Sequence, residues 1–193
     1  MSTRTESVDL VGDEAATNLA RAALFAALVG AFAYVTFPNP VSPVSVTLQV
    51  LGVFLAGIYL GPVWGPAALS LYLVAGALGA PVFEGGSAGV GQLVGQSAGY
   101  LWSYPLAASV VGAVVHRGTT LRDPASVGVA TLVAAMVLGI VAVYALGVAG
   151  LMLVLSLGPI EAVTVGAVAF LPAEALKVAA AVGIVRSDAI TAA

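Results

Sequence analysis

Six apolar stretches, separated by short segments rich in proline, glycine or charge, constrain this chain more than any other feature. They lie at about residues 18–36, 44–60, 63–80, 93–115, 126–147 and 160–185. Roughly 20 apolar residues in a helix cross a bilayer, and only helices or closed barrels satisfy the backbone inside one. The period-two alternation of a membrane barrel is absent. Hydrophobic residues are 61% of the chain and charged ones 8%, against about 25% charged in soluble domains. The expected fold is an all-α membrane protein in one domain. It is a six-transmembrane-helix bundle over 18–186, between a polar acidic tail at 1–17 and a short tail at 187–193.

Each stretch carries its own punctuation. Phe37-Pro-Asn-Pro40 closes the first. Gly61-Pro62 separates the second from the third so closely that a tight helical hairpin is predicted there. The segment 81–92 is glycine-rich, carries Glu84, and is too polar to span. Pro105 falls inside the fourth stretch and predicts a kink. After the fifth, a shorter apolar run continues to Leu157 before Gly158-Pro159. Pro172 divides the sixth. Proline suits the first turn of a helix, so two half-helices are expected, with Glu174 at the positive start of the second.

Cationic residues orient the bundle. With six spans and the N-terminus inside, Arg4, Arg21, Arg117, Arg122 and Arg186 all fall on the inner side. The positive-inside rule then puts both termini in the cytoplasm, and the protein in the cell membrane as a multi-pass chain. No basic region precedes the first apolar stretch, so the tail does not read as a signal peptide. His116 reads as a solvated loop residue, and Trp64 as an interfacial anchor at a tight inside turn.

One position breaks the apolar pattern. Lys177 is the chain's single lysine and lies within the apolar run 162–185, where Glu174 is the only other charge. It stands nine residues before Arg186, roughly 14 Å along a helix, hence near mid-membrane. A charge at that depth costs about 2.5–3.5 kcal/mol or more. Glu174, three residues earlier, shares its helical face. The pair either meets a substrate or neutralises itself and knits helices together. Gln49 on the second stretch, and Gln92, Gln96, Ser97, Tyr100, Trp102 and Tyr104 on the fourth, are open to the same two uses. Small residues four apart, Ala22/Ala26, Ala23/Ala27 and Gly91/Gly95/Gly99, allow close helix packing. They serve the bundle itself or, for the first-stretch alanines, a partner subunit.

Several chemistries are excluded. The chain has no cysteine, and its histidine and carboxylates form no metal-ligand pattern. There is no nucleophile–base pair and no phosphate loop, so an enzyme is not expected, no cofactor is implied, and any use of ATP requires a partner.

Residues 43–83 resemble the signature of BioY-type proteins, the biotin-binding S components of energy-coupling-factor (ECF) transporters. The resemblance is carried by Thr47-Leu-Gln49, Leu55-Ala-Gly57, Leu60-Gly-Pro62, Tyr72, Gly76, Gly79 and Pro81-Val-Phe83. Gly95-Gln-Ser-Ala-Gly-Tyr-Leu101 is similar to the family's G-P-T-G-G-Y-L, and Phe170-Leu-Pro-Ala-Glu-Ala-Leu-Lys177 to its F-x-P-G-D-x-x-K. Gln96-Ser97, Ala98 and Ala173-Glu174 depart from those patterns. The resemblance implies a six-helix S component with biotin as ligand. It also implies a transmembrane coupling subunit and two ABC-type ATPases as partners, the coupling subunit meeting Ala22/Ala26 or Ala23/Ala27. A biotin pocket needs a cation, a few amides or hydroxyls and apolar or aromatic walls. Lys177, Glu174, Tyr100, Gln49, Gln92 and Ser87 are the expected site residues, with 84–91 as an outer lid. The rival readings are an S component for another small carboxylate or vitamin, and a scaffolding membrane protein without a ligand.

Overall fold

The computed structural model describes residues 12–187; residues 1–11 of the expected N-terminal tail, with Arg4, and 188–193 of the expected C-terminal tail lie outside them. Six helices follow in order: α1 (Asp13–Phe32), α2 (Gln49–Ala77), α3 (Ala98–His116), α4 (Val129–Leu155), α5 (Pro159–Gly166) and α6 (Leu171–Arg186). Two-residue strands β1 (Thr36–Phe37) and β2 (Val46–Thr47) pair antiparallel in the α1–α2 connection. Taking α5 and α6 together, five helical stretches are long and apolar enough to cross a membrane.

The sequence boundaries shift at three places. α1 begins at Asp13, so the acidic residues just ahead of the first apolar stretch are its opening turn and not tail. α3 begins only at Ala98, leaving Gln92, Gln96 and Ser97 in the connection and not on the fourth helix. α4 runs unbroken through Gly147 to Leu155, because a glycine packed against a neighbouring helix costs a membrane helix little.

α2 folds back on itself. Gly61 has φ +75° and ψ −172°, a conformation open to glycine alone. Beyond it, Gly65 lies so near the earlier segment that a Cβ there would sit 3.1 Å from the Ala56 carbonyl oxygen. In a straight helix those residues are roughly 13 Å apart. The expected hairpin is therefore present, as 49–60 and 62–77. α3 lies across the turn: a Cβ on Gly112 would be 2.5 Å from the Gly61 carbonyl carbon and the Pro62 nitrogen. Phe54, Ile58, Leu69, Val111, Leu132 and Met136 fill the space between α2, α3 and α4. In a bilayer such packing is driven by van der Waals contact, with no gain from leaving water.

His116 is a correction to the sequence reading. It is the last residue of α3, is only 2% exposed, and is no solvated loop side chain. The Arg122 N–H donates to its Nδ1 at 2.9 Å, so the ring proton belongs on Nε2, which donates to the Ile58 carbonyl at 2.9 Å. That carbonyl would ordinarily accept from residue 62, which is proline and has no N–H. His116 supplies the missing donor. Trp64 is half-buried just past the turn and packs on the core.

The last apolar stretch is broken, as its proline predicts. The irregular residue is Ala167 (φ −133°, ψ −59°), followed by a 3₁₀ turn at Val168–Phe170. Pro172 and Glu174 then occupy the first turn of α6. At the far end of α6, the Arg186 guanidinium donates to the Ala125 and Val127 carbonyls of the α3–α4 connection. Glu14 and Arg21 of α1 share a groove with Leu60, Trp64 and Thr119–Leu121. The start of α1 and the end of α6 thus lie at one end of the bundle, with all four described arginines.

Gly112→Ala is expected to lower the thermal unfolding midpoint of the detergent-solubilised protein, at the roughly 1–3 kcal/mol typical of overpacking. Gly183→Ala, where a Cβ meets nothing within 4 Å, is the control and leaves it unchanged; equal midpoints for the two would remove Gly112 from the packing account.

Candidate functional site

A narrow, partly open cavity of about 40 Å³ lies at the end of the bundle opposite the arginines. It is enclosed by the starts of α2, α3 and α6, the middle of α4, and the connection ahead of α3. Helix beginnings converge here because the hairpin in α2 and the break before α6 bring them to one level.

The charged wall is on α6. Lys177 Nζ donates to Glu174 Oε1 at 2.6 Å, with the two residues 5% and 2% exposed. The spacing of three on one helix makes this contact local, and no other ion pair occurs among the described residues. Tyr144, from α4, donates its hydroxyl to the same Oε1 at 2.9 Å. Oε2 is fully buried with no hydrogen-bond partner among the described residues. Buried carboxylate oxygens are rarely left so. The pair therefore offers one unused acceptor, beside an ammonium with two N–H groups to spare.

Two aromatic clusters flank the cavity, and α3 contributes to both. Tyr100 meets the Tyr144 ring edge-on (6.0 Å, 80°) and lies 6.3 Å from Phe170, which is 5.8 Å from Tyr144. One turn along, Tyr104 lies 6.3 Å from Tyr72, whose ring meets Phe83 at 5.4 Å and 85°. Small residues make room for these rings: Phe83 covers Gly76, and Tyr100 packs on Gly147. The Tyr100 hydroxyl donates to the Gly166 carbonyl at 2.7 Å, in the last turn before the break. Gln49, 3% exposed at the start of α2, donates to the Tyr72 hydroxyl and accepts from Thr47 at 2.9 Å.

Of the residues expected from sequence, Lys177, Glu174, Tyr100, Gln49 and Gln92 line the cavity. Ser87 does not; its hydroxyl donates to the Glu84 carbonyl at 2.8 Å and closes a local turn. Of the expected lid, Glu84 reaches the cavity, with Phe83 just before it and Gln92 just after. The alanine rows separate: Ala22 and Ala26 are buried, whereas Ala23 and Ala27 are exposed. Ala22 and Ala26 therefore belong to internal packing and are not open to a partner. Tyr144, Phe170 and Thr47 were missed. The available signal for Tyr144 was that Thr131 and Tyr144 are the only hydroxyls in a 27-residue apolar helix.

A multi-pass helical bundle with a cavity walled by aromatic rings and an intramembrane ion pair defines a class, the membrane-embedded solute-binding proteins. Within that class the chain belongs to the BioY family, whose model matches residues 2–192. It is 38% identical over 169 residues to the biotin transporter BioY of Rhodobacter capsulatus, covering 83% of this chain and 87% of the relative. It is 36% identical over 165 residues to that of Rhizobium etli, covering 83% and 86%. A crystal structure of the S-component for biotin from an ECF-type ABC transporter superposes with TM-score 0.81 at 23% identity, covering 92% of this chain and 93% of the other. At that identity it speaks for the fold alone.

Lys177→Met and Glu174→Gln are each expected to lower the unfolding midpoint more than the double variant does, since breaking a buried pair typically costs about 3–5 kcal/mol while removing both charges costs far less. Additive losses in thermal melts would mean that the two charges are stabilised independently.

Proposed function

We propose that this chain is the biotin-binding S component of an ECF-type uptake system in the cell membrane. It works with a transmembrane coupling subunit and two ABC-type ATPases. The observation that carries the reading is the Lys177–Glu174 pair, buried in the wall of a cavity between two aromatic clusters. The names of the relatives and the family's motifs support biotin as the solute. Its apolar bicycle suits the rings, and its ureido group and carboxylate suit Lys177, Glu174, Gln49 and Gln92.

In this reading the chain crosses the membrane six times, α2 crossing twice through its turn at Gly61. Arg21, Arg117, Arg122 and Arg186 gather at the end away from the cavity, and the positive-inside rule favours that end as cytoplasmic. Both termini are then inside and the cavity opens outward. The exposed Ala23/Ala27 row is the docking face for the coupling subunit, small enough for a close helix approach.

Lys177 answers the biotin carboxylate. A second arrangement is favoured by the fact that the lysine is already neutralised by Glu174: the pair then meets the ureido group, donor to carbonyl and acceptor to N–H, and the carboxylate lies towards the mouth. Biotin methyl ester separates the two.

In titration calorimetry, biotin is expected to bind more tightly than thiamine, riboflavin or pantothenate; equal affinities across the panel overturn the biotin reading, and no saturable ligand at all leaves a scaffold. Lys177→Met should weaken biotin by about 2–5 kcal/mol, roughly 30- to several-thousand-fold. If the methyl ester is spared, the lysine meets the carboxylate; if both ligands weaken alike, the pair meets the ureido group. Wild-type affinity in Lys177→Met would make the pair a structural clamp.

Ala23→Trp or Ala27→Trp is expected to abolish biotin uptake by cells carrying the complete transporter while leaving binding intact. Ala22→Trp and Ala26→Trp, at buried positions, should lower the yield of folded protein instead. Uptake unaffected by tryptophan at 23 and 27 moves the docking face elsewhere.

A further inference from the structure

Glu174 is held from two helices. Lys177, on its own helix, reaches Oε1 at 2.6 Å, and Tyr144, on α4, reaches the same oxygen at 2.9 Å. Both donors converge on one oxygen, and Oε2 is left buried and unpartnered among the described residues. A glutamate side chain has three rotatable torsions, and a lysine three residues away follows it through many of them. The lysine contact therefore does little to choose which oxygen is offered to the cavity. A phenol on a rigid ring does.

The Tyr144 ring has little freedom. It is 7% exposed, wedged edge-on against Tyr100 at 6.0 Å and beside Phe170 at 5.8 Å. Tyr100 is itself tied to the Gly166 carbonyl. A phenolic hydroxyl in an apolar helix needs a partner, and within this cluster that partner is the carboxylate.

We propose that Tyr144 is a positioning residue of the binding site: it pins Glu174 Oε1 beside Lys177 and so reserves Oε2 as the acceptor for a ligand N–H. The site thereby selects solutes bearing an N–H donor. The proposal rests on the reading of this cavity as a biotin site, in the arrangement that brings the ureido group, which carries biotin's N–H donors, to the Lys177–Glu174 pair. Glu174 is one methylene longer than the aspartate of the pattern it resembles, and Tyr144 restrains the freedom which that methylene adds.

The test is a double-mutant cycle on biotin affinity, with calorimetry on wild type, Tyr144→Phe, Glu174→Gln and the double variant. Tyr144→Phe keeps the ring and removes the donor. It is expected to weaken biotin about tenfold or more, the loss of one hydrogen bond to a charged group, and to weaken biotin methyl ester by the same factor. The double variant should bind no more weakly than Glu174→Gln alone, because Tyr144 acts only through that carboxylate. A ring with a merely structural role predicts multiplicative losses instead, and that result overturns the proposal. So does wild-type affinity in Tyr144→Phe. Thermal melts establish that each variant is folded. If Tyr144→Phe does not fold, Tyr144→Gln returns an N–H donor, and its affinity in the wild-type and Glu174→Gln backgrounds is judged by the same criterion. Wild-type protein that binds no biotin removes the functional reading and this proposal together; biotin binding with a multiplicative cycle removes the proposal alone.

Discussion

Everything at the cavity end of this molecule is arranged around a charge pair that a bilayer would otherwise reject. A lone ammonium or carboxylate at that depth is costly. Here Lys177 and Glu174 meet at 2.6 Å on one face of α6, within a shell of tyrosines and phenylalanines from three other segments. The break at Ala167 makes this possible. It starts a new helix at Leu171, so Glu174 falls in a first turn, where the helix dipole favours an anion. The pair, the break and the aromatic wall are parts of one solution.

The opposite end solves a different problem, that of reversing a helix within a few residues. Gly61 takes the backbone through an angle only glycine adopts, and Pro62 follows with no N–H to give. The Ile58 carbonyl that loses its helical donor is recovered by His116, which the Arg122 N–H holds in the matching tautomer. Gly112 lets α3 approach the turn at backbone distance. With Arg186 fastened to the carbonyls at 125 and 127, this end is cross-linked by hydrogen bonds, and the cavity end is left to side chains and a glycine-rich connection.

This polarity has a functional reading. A closed basic end and an open polar cavity suit a protein that takes a solute from one side of a membrane. Two of the cavity's polar groups are held in place from within the protein: Gln49 by Thr47 and Tyr72, Glu174 by Lys177 and Tyr144. Such a site is pre-organised, so little ordering remains for the ligand to pay for.

The sequence by itself determined the class of fold and the centre of the site. Apolar stretches of bilayer length dictate helices, Gly61-Pro62 dictates a reversal, and a single lysine in an apolar run must be either functional or paired. Those inferences rest on local chemistry, so they are readable locally. Only the tertiary structure decided how residues far apart in the chain share work. His116 looks like a linker residue until α2 brings a carbonyl without a donor beside it. Tyr144 looks like one aromatic among many apolar residues until α4 lays it against Glu174, thirty residues away. Ser87, polar and well placed in the chain, turns to its own backbone instead of the cavity. The alanine rows are equivalent by spacing, and rotation of α1 against α2 buries one and exposes the other. Burial and long-range hydrogen bonding depend on helix rotation and depth, which no spacing within a single helix encodes.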